Sequence, residues 1–432
     1  MDYTFFLEWV QFAVRWLHVI TAIAWIGSSF YFIALDLGLV PEPGAPKGVH
    51  GAAWQVHGGG FYHIQKYLVA PAQMPDRLTW FKWESYMTWL SGFAMMVVLY
   101  WTQAQFYLID PRVMELPVWG AILISIGSLA LGWLLYDLIC KSSFGENNTR
   151  LMLGLYVILV AMAWGYTQVF SGRAALLHLG AFTATIMTAN VFLIIIPNQK
   201  IVVADLMAGR TPDPKYGKIA KQRSTHNNYL TLPVIFLMLS NHYPLAFASA
   251  YNWLIASLVF LMGVTIRHFF NTHHAHKGKP WWTWGATAAL FVAIVWLSSI
   301  PKADAGEDME DSAMLTPFEQ RFAAAPGFDE VSGIVMGRCS MCHASEPGYE
   351  GIGHAPKNIK LETPREIAAA ARQIYVQAGL TDAMPPANLS YMEPQERAAI
   401  RAWFRAGEAG TQGASETDRA EAAIAVPHPN AS

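Results

Sequence analysis

The chain has 432 residues, 53% of them hydrophobic and only 14% charged, with 17 Trp and a formal charge of −2. That composition excludes a single soluble domain, and the absence of a phosphate loop or a basic recognition motif excludes a nucleic-acid partner. Residues 1–301 carry 18 basic and 12 acidic side chains, a net of +6, whereas residues 302–432 carry a net of −8. The two parts therefore read as a membrane domain and an acidic C-terminal domain, the second suited to steering a basic redox partner.

Eight apolar runs are long enough, or nearly so, to cross a bilayer, near 7–34, 80–102, 116–140, 150–170, 174–197, 227–243, 247–270 and 283–300. The sixth is the weakest, because Pro233 interrupts it and Asn241-His242-Tyr243-Pro244 closes it early. Met1-Asp2-Tyr3-Thr4 has no basic n-region, so the first run is expected to stay as a span. Thirteen Lys and Arg lie in loops after the odd-numbered runs, the segment Arg210–Arg223 among them, against Arg112 and Arg173 in the opposite loops. The basic loops are expected in the cytoplasm and both termini in the periplasm of a bacterial inner membrane. Runs one and five match in register at His18/His178, Ala24/Ala184, Ile26/Ile186 and Phe32/Phe192, a hint of a four-plus-four repeat.

Ionisable groups inside spans are functional candidates by default. His18 and His178 either ligate a b-type haem between two helices or make interhelical hydrogen bonds. Arg15 lies one helical turn from His18 and suits a propionate or an anionic substrate, or the interface itself. The long connection 35–79 holds His50, His57-Gly58-Gly59-Gly60 and His63, and reads either as a flexible connector or as a loop approaching a ligand closely. His268, His273, His274 and His276 read as a solvated basic helix end rather than a metal cluster. The Arg210–Arg223 segment reads as a topology signal.

After an acidic linker, 302–317, comes Cys339-Ser340-Met341-Cys342-His343. C-x-x-C-H is the attachment signature of a c-type haem, with two thioethers and an axial histidine. No second C-x-x-C exists to complete a zinc site, and the remaining cysteine, Cys140, sits at a span end. Met384, on Thr381-Asp382-Ala383-Met384-Pro385-Pro386, suits the sixth ligand. Phe328, Val331, Ile334 and Val335 recur at helical spacing before the motif. A last helix opens at Pro394 with Ile400, Trp403 and Phe404 on one face. Residues 318–408 thus read as a class I cytochrome c domain, and 409–432 as a disordered tail. The fold class expected is all-α, an eight-helix transmembrane bundle (1–301) fused to a cytochrome c domain.

The chain resembles the membrane-bound, cytochrome c-linked urate oxidases of proteobacteria. The resemblance rests on Arg15-Trp16-Leu17-His18, Trp25-Ile26-Gly27-Ser28-Ser29-Phe30-Tyr31-Phe32, His57 to His63, Ser240-Asn241-His242-Tyr243-Pro244 and the C-x-x-C-H run, and it covers residues 1–408. It implies oxidation of urate to 5-hydroxyisourate, with electrons leaving through haem c to a downstream respiratory cytochrome or oxidase. Two electrons leave urate and one haem c takes one, so a second centre on His18 and His178 or a waiting radical is expected. Arg15, Asn190 and His242 are the candidates for holding urate, with a His or carboxylate as general base. Asn190 equally suits a helix–helix hydrogen bond. Rival readings are a quinol-linked cytochrome b/c module and a redox-reporting transporter or sensor.

Overall fold

A computed structural model of the chain describes residues 3–300 and 315–424, apart from residues 70, 72, 76, 112, 351, 353 and 354. The expected acidic stretch 304–311 lies outside the described residues. The chain divides into two compact units, Met1–Lys302 and Ala303–Ser432.

In the first unit, α1 (Tyr3–Gly38) leads to a two-stranded hairpin, β1 (Val49–His57) and β2 (Gly60–Tyr67). The remaining helices are α2 (Trp83–Met95), extended by a π segment Met96–Trp101; α3 (Val118–Lys141); α4 (Asn148–Thr167); α5 (Gly172–Ala189), continued by a π segment Asn190–Ile195 and α6 (Ile196–Met207); α7 (Pro214–Ser240); α8 (Asn252–His274); and α9 (Trp282–Ser299). Among the described residues, six helices are long and apolar enough to cross a membrane: Phe5–Gly38, α3, α4, Gly172–Met207, α8 and α9. The second and sixth expected runs are helical but fall outside that set. The π segment interrupts α2, and α7 begins thirteen residues earlier than expected, taking in the polar sequence Lys215-Tyr-Gly-Lys-Ile-Ala-Lys-Gln-Arg223.

Packing follows residue size. On α4 the buried positions Leu151, Leu155, Leu159, Ala163 and Tyr166 form one stripe at helical spacing. α5 is buried over most of its circumference, from Ala174 to Met187, which makes it the central helix. Gly132 lets α3 approach it: a Cβ there would lie 1.9 Å from Cε2 of Phe182. Pro233 does not end α7. Its ring sits against Gly263 of α8, where a Cβ would lie 2.5 Å from Pro233 Cδ. α8 packs closely along α9, whereas α3 and α4 touch little, so the helices do not pair as two equal halves.

The connection after α1 is not a structureless loop. It is an antiparallel hairpin whose His57 pairs with Gly60. Gly58 and Gly59 take φ of +60° and +78°, the left-handed pair a two-residue hairpin turn demands. The glycine string therefore serves the turn.

The second unit is helical: α10 (Pro317–Ala323), α11 (Phe328–Arg338), α12 (Pro364–Ala369), a turn Ala371–Ile374 running into a π segment Tyr375–Leu380, and α13 (Pro394–Ile424). Its core is aromatic. Trp403 of α13 packs on Phe322 and Phe328, and Phe404 stacks on Tyr375 at 4.2 Å. Ile400, Trp403 and Phe404 are all buried, the face expected from spacing. Helix α13 runs past the expected end near Gly407 through an Ala- and Glu-rich, helix-favouring stretch. The stretch expected as a disordered tail is helical to Ile424, and residues 425–432 lie outside the described residues.

Candidate functional site

Three places carry chemistry. The first is the C-x-x-C-H loop of the second unit. Cys339 caps the C-terminus of α11, and the next turn is closed by Cys342 N–H and His343 N–H donating to the Cys339 carbonyl at 3.1 and 2.9 Å. His343 Nδ1 lies 2.7 Å from the Ile359 carbonyl. A carbonyl only accepts, so Nδ1 bears the proton and Nε2 keeps its lone pair. That is the state an axial iron ligand requires, with the backbone fixing the ring. Burial, with Cys342 beside it, pushes the Cys339 thiol up to about 11, the opposite of an activated redox thiol. Met384 is half-buried on its loop. Arg397 holds that loop: Nη1 donates to the carbonyls of Ala378 and Met384 at 2.7 and 2.9 Å. Arg338 ties the motif to the start of α13, donating to Glu396 and to the Ser390 carbonyl. These residues fit a haem c. Arg397, in the first turn of α13, was not singled out from sequence as the residue that holds the Met384 loop.

The second place lies at the end of the bundle where α5 begins. His178 is fully buried, with Nε2 2.8 Å from Ser125 Oγ and Nδ1 2.8 Å from the Ala174 carbonyl. The same Ser125 Oγ accepts from Trp101 Nε1 at 3.0 Å. Phe170, Tyr166 and Tyr100 surround the ring. The Tyr100 hydroxyl lies within electrostatic reach of Asn241, Arg173 and Arg15. Among the described residues Gln103 Oε1 and Asn241 Oδ1 are buried with no hydrogen-bond partner. His18 turns elsewhere: its Nδ1 meets the Thr88 carbonyl and Ser91 Oγ of α2, and its ring rests against Gly92. Both ring nitrogens of His178 are engaged, and the two histidines face different helices. The pair does not fit a shared bis-histidine iron as the rings stand, so no step is routed through a haem b.

The third place is a buried polar layer, about 18 Å along the central helix from His178 at 1.5 Å per residue. It forms where α5 widens into its π segment, a distortion frequent at functional positions. Asn190, fully buried, opens that segment. Arg223 of α7, 2% exposed, donates from Nη2 to Asp137 at 2.7 Å and from Nη1 to Asn190 Oδ1 at 3.1 Å. Lys141 pairs with the other Asp137 oxygen at 2.6 Å. Asn190 Nδ2 donates to Tyr136 Oη and to Asn227 Oδ1, both at 3.1 Å. Tyr136 Oη meets His226 Nδ1 at 2.7 Å. Among the described residues His226 Nε2, Arg223 Nε and Asn228 Nδ2 are buried with no hydrogen-bond partner. On the far side of α7, Asn228 meets Arg267 and Asn271 of α8.

The expected urate residues therefore do not form one site. Arg15 and the Asn241–His242 segment belong to the second place and Asn190 to the third. Arg223 is not a loop residue setting topology: it is buried and paired with Asp137. Asp137, Tyr136, His226, Asn228 and Arg267 were not singled out from sequence. The signal available was charge and amide density inside apolar helices, with Arg223, His226, Asn227 and Asn228 within six positions of α7. Among the described residues no group of three or more His, Cys, Asp or Glu could hold a metal ion.

A family model for the N-terminal region of urate oxidase matches residues 4–298. The chain belongs to the urate oxidase N-terminal family. The match covers the whole helical first unit from α1 to α9 and both of its polar clusters. No curated protein and no solved structure matches the chain.

Proposed function

We propose that the protein is a bacterial inner-membrane oxidoreductase that oxidises urate and delivers the electrons to a haem c on its own second unit. One observation carries the reading: a urate oxidase N-terminal region over residues 4–298 shares its chain with a C-x-x-C-H loop whose His343 offers Nε2. The balanced reaction is urate plus water to 5-hydroxyisourate, two protons and two electrons. Haem c, when bound, supplies a one-electron acceptor, so each urate needs two haem equivalents before electrons pass to a downstream respiratory cytochrome or oxidase. Cys339 and Cys342 would hold the haem covalently, and His343 and Met384 would ligate its iron.

The rest falls to the protein's own side chains. Urate is flat, anionic at neutral pH and rich in carbonyl acceptors. On α7, Asn228 Nδ2 is a buried donor with no acceptor among the described residues. Exclusion of water there strengthens each hydrogen bond to the anion. Arg15 and His242, near Tyr100, serve the opposite end of the bundle.

The test is an anaerobic absorption spectrum of the purified protein in detergent, before and after urate, with a pyridine haemochrome assay. Reduction of a c-type band by urate without oxygen supports the reading. A c-type haem that stays oxidised with urate but is reduced by quinol would overturn it and leave a quinol-linked module.

A further inference from the structure

Arg267 of α8 is 5% exposed, inside a helix long and apolar enough to cross a membrane. Its Nε donates to Asn228 Oδ1 at 3.3 Å and its Nη2 to Asn271 Oδ1 at 3.1 Å. Asn271 Nδ2 donates to the same Asn228 oxygen at 2.8 Å. The Phe30 ring of α1 covers one face of the guanidinium, 4.3 Å from the ring centroid. All of these partners are neutral. Among the described residues no carboxylate forms an ion pair with Arg267, although Arg223 on the neighbouring helix has one at 2.7 Å.

A guanidinium does not shed its proton, and an uncompensated cation inside a bilayer protein is costly. Among the described residues no charge of opposite sign pairs with it. The hydrogen bonding is incomplete in the same place. In its hydrogen bonds among the described residues Arg267 uses Nε and Nη2, and Asn228, 1% exposed, leaves its Nδ2 without a partner there. Two amide oxygens hold the guanidinium plane and Phe30 covers a face, which leaves the Nη1 edge for a further acceptor. A planar anion with adjacent acceptor atoms meets that edge in plane, the geometry that arginine recognises best.

We propose that Arg267 and Asn228 form the anion-binding edge of the substrate site, with Arg267 supplying the charge that balances the urate monoanion. This rests on the urate reading above. Asn271 and Phe30 position the guanidinium, one through its amide and one by stacking.

The test uses the full-length, haem-loaded protein in detergent, with two readouts: anaerobic haem reduction across a urate series, and thermal unfolding with and without urate. The informative variant is Asn228→Asp, which puts a carboxylate where Arg267 already donates and so neutralises the cation internally. It should unfold no lower than the parent. Its KM for urate should rise on the order of 100-fold, with a smaller change in the rate at saturation. Urate should raise the unfolding temperature of the parent and not that of the variant. Arg267→Lys keeps the charge but loses the fork, and should show a smaller rise in KM. An Asn228→Asp protein with unchanged KM and an unchanged urate-dependent shift would overturn the assignment and leave Arg267 a packing residue. A thermal shift in the parent that the variant loses, with no haem reduction in either, would retain the binding edge and overturn the oxidase reading alone. A parent that shows neither reduction nor shift overturns both.

Discussion

Two buried arginines lie on neighbouring helices of the bundle, and their surroundings are opposite. Arg223 is neutralised by Asp137, which Lys141 also approaches, and is tied through Asn190 into Tyr136 and His226. Arg267 hydrogen-bonds two asparagines and lies over a phenylalanine, with no ion pair among the described residues. Breaking an ion pair in a low-dielectric interior strands a charge, whereas removing a lone charge relieves one. The first arrangement holds three helices together. The second is balanced only by something that binds.

Stability measurements can sharpen or break that contrast. The largest effect is expected from Asp137→Asn, which strands Arg223 and should lower stability by roughly 3–5 kcal/mol, read by thermal unfolding in detergent. Replacing both partners, Asp137→Leu with Arg223→Met, should recover most of the loss. A double variant as weak as the single one would show that the ion pair is not what matters at Asp137. Next is Gly132→Ala, which tests packing without charge. Its methyl would collide with Phe182, and α3 must move off α5 at a cost of about 1–3 kcal/mol. Outside the bundle, Gly58→Ala at φ +60° should cost about 1 kcal/mol through the hairpin turn and leave both arginine sites intact. The smallest change belongs to Arg267→Leu. It should be neutral or mildly stabilising, while Arg223→Leu, leaving Asp137 buried, is clearly destabilising. Equal losses from the two leucine variants would erase the distinction between the sites.

What could be read from the sequence follows the range of the interactions. The C-x-x-C-H loop is local: Cys339, Cys342 and His343 lie within five positions of the chain, and one helical turn brings them together. The apolar runs are local too, and each became a helix. The polar layer is not local, because Asp137, Asn190, Arg223 and Arg267 come from four segments whose meeting depends on packing at Gly132 and Gly263. Arg223 looked like one more basic residue in a basic stretch, since nothing in its neighbours shows that α7 starts at Pro214 and turns that side chain inward. His57-Gly-Gly-Gly60 is ambiguous in sequence, because glycine-rich strings that cradle ligands and those that close hairpins share a composition and differ only in what flanks them. His18 and His178 match in register, yet their partners, Ser91 and Ser125, lie on helices that the register does not specify.

The most direct test of the account is a stoichiometric anaerobic titration of the oxidised, haem-loaded protein with urate, following the c-type band. Two electrons from each urate and one accepted by each haem c require full reduction at about half an equivalent of urate per chain. An endpoint near one half, with 5-hydroxyisourate formed in the same proportion, is the predicted result. A haem that remains oxidised at excess urate, yet is reduced by dithionite, would contradict it.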